Sequence, residues 1–256
     1  MGNKSSNNDG LVQHYGTRDA SGEHKPRGTE RFGYSEVFDD FMYSGAFEAA
    51  SPWVINSDSS ATDAAVVAGG EHGEVALVTG SVDNEGSQIV GQAGWIANNG
   101  GLVMEARVKL SAITTTNVFI GFTDATTIEE PGSIDGSDAV TSAASDSVVG
   151  FVFDTDAATD RWFVMASADG GTTAATGQGA TSSAPVANTY ATYRVEVDSD
   201  GVGAKFYIDG AKVGETTANS VLATDTMYPT VVAHNRTTAS RTITADYVYV
   251  GSKRSV

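Results

Sequence analysis

From Tyr34 onward the chain alternates between short apolar runs and clusters of Gly, Asp, Asn and Ser. The runs are rich in Val, Ile, Thr, Phe and Tyr, side chains that fit a pleated, half-buried surface. The pattern predicts strands at Glu36–Met42, Ala64–Ala68, Glu74–Thr79, Gln88–Gly91, Leu102–Leu110, Asn117–Thr123 and Val148–Asp154. Further strands are predicted at Arg161–Ser167, Thr192–Asp198, Ala204–Asp209, Lys212–Thr217, Tyr228–His234 and Thr242–Val250.

Several runs repeat with period two. Met104, Ala106, Val108 and Leu110 share one face of their strand, and Glu105, Arg107 and Lys109 share the other. Tyr193, Val195 and Val197 alternate in the same way with Arg194, Glu196 and Asp198. One dry face and one wet face suit antiparallel sheets packed as a sandwich. The turns agree, because Asp198-Ser199-Asp200-Gly201 and Asp209-Gly210 supply the positive φ that hairpins require. Tyr193–Thr217 therefore reads as a three-stranded meander. Asp135–Asp146 and Gly170–Asn188 are non-periodic and rich in Ala, Gly, Ser and Thr, and both read as long exposed loops. No amphipathic helix longer than two turns and no internal repeat is found.

Residues 1–33 differ in kind. They are poor in apolar side chains, and alone they cannot bury enough surface to offset their ordering entropy. The expected division is an extended N-terminal arm over 1–33, a sandwich over 34–252 and a short basic tail over 253–256. The arm is expected to dock on a partner through Leu11, Val12, His14, Tyr15, Arg18, Arg27, Arg31 and Phe32.

Charge sharpens this division. The 256 residues carry a net charge of −17. Residues 1–31 hold five Lys/Arg against four Asp/Glu, and the last four residues add two cations, which leaves −20 on residues 32–252. Such a body argues against non-specific nucleic-acid binding, which needs clustered cations. No apolar run approaches the length of a membrane span, so no membrane association is expected. The chain has no Cys, which excludes disulfides, thiolate metal sites and a cysteine nucleophile. Met1–Gly10 holds no apolar leader-like run, so synthesis in a cytoplasm is expected.

The order of the pieces resembles the concanavalin A-like lectin/glucanase sandwich, shared with laminin-G-like modules. The likeness is carried by Gly101–Leu110, by Val118-Phe119-Ile120-Gly121-Phe122-Thr123-Asp124, and by Val149-Gly150-Phe151-Val152-Phe153-Asp154 followed by Trp162-Phe163-Val164. It continues through Tyr193-Arg194-Val195-Glu196-Val197-Asp198, Phe206-Tyr207-Ile208-Asp209-Gly210, Pro229-Thr230-Val231-Val232 and Asp246-Tyr247-Val248-Tyr249-Val250. The resemblance implies an all-β jelly roll in which the last strand pairs near the first. With its arm and acidic body the whole chain is similar to tailed-phage head decoration (capsid cement) proteins. That likeness implies a structural role on the virion exterior, a major capsid protein as partner and a homotrimer.

Glycanases with this fold carry Glu-x-Asp-x-x-Glu on one strand, and a retaining mechanism needs two carboxyls roughly 5–5.5 Å apart. No segment has that spacing: Glu105 stands among Ala106, Arg107 and Lys109, and Glu129-Glu130 precede Pro131. Of the four His, His14 and His24 lie in the arm, and His234 ends a strand. No nucleophile elbow, phosphate loop or His-Glu-x-x-His is present. Catalysis is therefore not expected.

Two binding sites are candidates. Asp154, Asp156 and Asp160 lie in one short loop that calcium could use, with backbone carbonyls completing its oxygen shell. Trp95, beside a turn in Gly94-Trp95-Ile96-Ala97-Asn98-Asn99, is the candidate platform for stacking a sugar. The expected function is that of a non-enzymatic capsid decoration protein, and the alternative is a carbohydrate-binding, lectin-like module of a fibre or surface protein.

Overall fold

In the computed structural model, residues 34–42, 51–59, 63–67, 73–142, 147–168 and 173–253 are described. They hold nineteen strands and no α-helix. The first are β1 (Tyr34–Asp39), β2 (Trp53–Ser57), β3 (Asp63–Val66), β4 (Val75–Val78), β5 (Gly86–Gly91), β6 (Trp95–Ile96) and β7 (Leu102–Leu110). There follow β8 (Thr116–Thr123), β9 (Gly132–Ile134), β10 (Val140–Ser142), β11 (Val148–Asp154), β12 (Trp162–Ala168) and β13 (Thr173–Ala174). The last are β14 (Gly179–Ala180), β15 (Ala191–Val197), β16 (Ala204–Ile208), β17 (Ala211–Thr216), β18 (Thr226–Asn235) and β19 (Thr242–Lys253).

The strands build two large antiparallel sheets, as a jelly-roll sandwich requires. One has eight strands in the order β17-β16-β15-β7-β19-β4-β3, with β1 also paired to β19. The other has nine, in the order β13-β12-β11-β8-β18-β5-β2, with β14 on β12 and β6 on β18. β1 runs beside the end of β19, Tyr34 opposite Lys253 and Asp39 opposite Val248. The hairpin tip between β16 and β17 is Asp209-Gly210, both at positive φ as a type I′ turn demands.

The two sheets differ in a way their sequences explain. β7 alternates buried and half-buried residues along its whole length, and β15 does so from Tyr193 on. β8, β11 and β12 are buried at every position. Their sequences are continuous apolar runs rather than alternations, which fits strands covered on both faces.

The inner faces form the main core. Phe151 of β11 sits at its centre, with edge-to-face contacts to Tyr193 and Phe206 across the sandwich and to Trp162 beside it. The outer face of the nine-stranded sheet carries a second cluster of Phe119, Val148, Val152, Phe163, Met165 and Val232. Ile134 of β9 and Val140 of β10 pack against it.

That hairpin corrects the reading of Asp135–Asp146 as one exposed loop: β10 lies within it and pairs with β9. Within Gly170–Asn188, β13 and β14 extend the sheet beside β12. β2 was absent from the expected strands, because a five-residue run after Pro52 carries little periodicity. Residues 1–33 and 254–256 lie outside the described residues, and with them the arm and most of the basic tail.

Candidate functional site

The arm contacts Leu11, Val12, His14, Tyr15, Arg18, Arg27, Arg31 and Phe32 all lie outside the described residues. Trp95 is placed, and it is not a surface platform. Its pairing with Met227 at the start of β18 turns the indole into the main core, where it is 7% exposed.

The three aspartates do not converge on a common point. Asp160 is exposed at the loop end, Asp156 is largely exposed, and Asp154 is 0% exposed. Among the described residues no group of three His, Cys, Asp or Glu is placed to hold a metal ion. The physical reason is a cation supplied by the chain itself. Arg236, just past β18, donates from Nε to Asp154 Oδ1 (2.9 Å) and from Nη2 to Asp154 Oδ2 (2.6 Å). The same guanidinium donates to both oxygens of Glu130 and to Asn84 Oδ1. Asp154 also accepts from the Asn117 amide, the Ile134 N–H and the Asp156 N–H. Burial by itself would raise the Asp154 carboxyl, yet the Arg236 guanidinium and these donors hold it below the usual carboxylate range. Asp156 shifts up instead, through burial and then the nearby Asp154 charge.

This cluster is a strut tying β8, β9, β11 and the turn after β18 together, buried at Asp154 and Arg236 and reaching the surface at Glu130. His234 lies next to it, on the β18 position opposite Asn117. The ring is buried over Gly86, with Nε2 3.9 Å from Asp58 Oδ2. Burial pushes the imidazole below its ordinary value, against the pull of Glu130 and Asp58. A folded-state pKa below the unfolded one means that the unfolded chain takes up the proton first. Stability is therefore expected to fall as pH drops through about 6.5. His234→Gln should flatten that slope in urea titrations across this range, and an unchanged slope would assign it to other groups.

Among the described residues, the outer face of the eight-stranded sheet is the opposite case, open and polar. Pairing places Phe38, Tyr249, Glu105, Arg194, Tyr207 and Lys212 side by side in one row across six strands. The next row holds Glu36, Gly251, Val103, Glu196, Lys205 and Glu215.

Gly251 decides how Tyr249 lies. A Cβ at Gly251 would sit 2.6 Å from the Tyr249 hydroxyl, so the bare glycine lets the phenol fold down along its own strand. The hydroxyl then donates to Glu36 Oε1 at 3.1 Å. Tyr247 donates to Glu105 Oε1 at 2.8 Å, and its ring lies 5.7 Å from that of Phe38, which is 41% exposed. Burial first, and then the Glu105 bond, push the Tyr247 phenol up to about 12. Burial and Glu36 act on Tyr249 in the same direction. Further along, Arg107 and Lys109 stand over the Tyr190 ring at 4.2 and 4.4 Å, and Tyr190 donates to Glu74.

Such a face can offer flat aromatic surface to C–H groups and fixed carboxylates to hydroxyls. Sequence reasoning identified the wet alternation on β7 and β15 but passed over the platform. The available signal was Tyr247-x-Tyr249-x-Gly251, three residues on one side of one strand.

No protein-family model matches the chain, and no curated protein does. Solved structures do. Peanut lectin, solved with a nine-residue peptide, aligns at TM-score 0.59 and 12% identity over 87% of this chain and 99% of its own. The carbohydrate recognition domain of Emp47p aligns at 0.57 and 12% identity over 90% and 100%. The kappa-carrageenase of Pseudoalteromonas carrageenovora, solved with an oligotetrasaccharide of kappa-carrageenan, aligns at 0.53 and 15% identity over 86% and 96%. These likenesses show the fold alone: an all-β, antiparallel sandwich of the concanavalin A-like jelly-roll type.

Proposed function

We propose that the protein is a carbohydrate-binding, lectin-like module, and that the open face of the eight-stranded sheet holds the sugar without cleaving it. The carrying observation is Tyr249, laid along its strand over Gly251, with Phe38 beside it and the Glu36 and Glu105 carboxylates at its rim. A pyranose presents an apolar C–H face and a rim of hydroxyls, and the row offers a partner to each. The structural neighbours named as lectins or solved with an oligosaccharide support the class. The non-catalytic part rests on the missing Glu-x-Asp-x-x-Glu and on Glu36 and Glu105 each being held by a phenol. The expectation of a capsid partner, a trimer and a virion location rests on the arm, and the open face adds nothing to it.

The test is glycan-array screening of the full chain, followed by calorimetry on the best ligand. Tyr249→Ala is expected to weaken binding about tenfold, the worth of one aromatic stacking contact. Gly251→Val should do the same by displacing the ring while every aromatic residue is kept. Undiminished binding by both variants would remove the site from this face.

A further inference from the structure

Resting on that carbohydrate-binding reading, we propose that the ligand is a neutral polysaccharide that runs across the strands, and not a sulfated or uronate-rich one. The first argument is charge. Anionic glycans are held by cations free to meet them, and those of β7, β15, β16 and β17 are already engaged. Arg107 lies 2.6 Å from Asp246, Lys109 3.8 Å from Glu74 and Lys205 3.7 Å from Asp198. Arg194 pairs with Glu196, and Lys212 with Glu215. Lys253, at the rim opposite Tyr34, completes the Lys/Arg of the face among the described residues.

The carboxylates beside the platform are a different matter. Glu36 and Glu105 accept from phenols, which contribute no positive charge. A sulfate or carboxylate brought to Tyr249 would therefore meet two carboxylates within a screening length of about 8 Å, against the Arg194 guanidinium, which is itself paired with Glu196. The body of the chain behind them is acidic, at −20 over residues 32–252. Sugar hydroxyls meet the same oxygens as donors, and an ionised acceptor makes the stronger hydrogen bond.

The second argument is shape. The row from Phe38 to Lys212 crosses six strands, and Tyr249 and Tyr207 lie three strand spacings apart, ~14 Å. Only an extended chain of several sugar rings reaches from one to the other. Glu105 and Arg194, opposite each other in register, lie between them in the same row.

The experiment pairs each sulfated galactan with its desulfated form, and adds neutral oligosaccharides of increasing length, all against the full chain by calorimetry. Expected are a preference for the neutral member of at least about tenfold, little change from low to high salt, and affinity that rises with chain length. Tyr207→Ala should weaken the long oligosaccharide and leave the disaccharide unaffected. Tighter binding of the sulfated form, fading with salt, would overturn the neutral-ligand inference and leave sugar binding standing. Length-independent binding, or equal loss of short and long ligands in Tyr207→Ala, would overturn the crosswise path. Binding to neither series would defeat the carbohydrate reading itself.

Discussion

Asp154→Ala is expected to cost about 3–5 kcal/mol of stability, the usual result of stranding one partner of a buried ion pair. Arg236 retains Glu130, but its side chain is buried and loses the carboxylate that meets both Nε and Nη2. The substitution also removes the acceptor for Asn117 and for the Ile134 N–H, so β8 and β9 lose a common anchor. In a domain of this size the melting temperature should drop by roughly 6–20 °C, at 2–4 °C per kcal/mol. The decisive comparison is the double variant Asp154→Ala/Arg236→Met. Removing both charges should restore part of the loss, because the larger penalty comes from the uncompensated guanidinium. A double variant as unstable as the sum of its singles would show that the hydrogen bonds, and not the charge, dominate. Acid should act as the single variant does. The depressed Asp154 pKa contributes stability that is present above the unfolded value, about 3.9, and is lost as pH falls through the folded one.

Phe151→Ala should be comparably severe, about 3–5 kcal/mol. The ring is fully buried and touches Tyr193 and Phe206 of the facing sheet, so its loss opens a cavity between two layers that cannot collapse independently. Phe119→Ala removes an equal volume from the outer cluster, where the β9–β10 hairpin can settle inward, and should cost less. Urea unfolding with an unchanged slope would assign both effects to the native state. Equal costs at the two sites would mean that the hairpin is as rigid as a sheet.

The pattern of apolar positions was enough to place the long strands. Leu102–Leu110 and Val148–Asp154 fall where alternation and continuous apolar runs put them. The short pieces β9, β10, β13 and β14 escaped. Strands of two or three residues have no period, and their order comes from the strands they pair with. Long-range pairing also decided the sites. Asp154-Thr155-Asp156 resembles a cation loop when read locally, but its cation is Arg236, 82 residues downstream. Trp95 reads as a sugar-stacking platform beside a turn until Met227 is placed beside it. The tyrosine platform was visible as alternation on β19, yet its meaning required Glu36, which is brought to it by the first strand.

The pairing of β1 with the end of β19 also sets how the sandwich answers a mechanical load. Tyr34 and Lys253 are neighbours, so a pull on the two ends acts at one corner and perpendicular to both strands. The bonds between β1 and β19 would then be loaded one after another, as in a zipper, and not all at once in shear. The first strand should peel away at low force, carrying Glu36 and Phe38 off the open face while the core around Phe151 stays closed. On the proposed carbohydrate-binding reading, tension between the segments that flank this domain would thus release the sugar before it unfolded the protein.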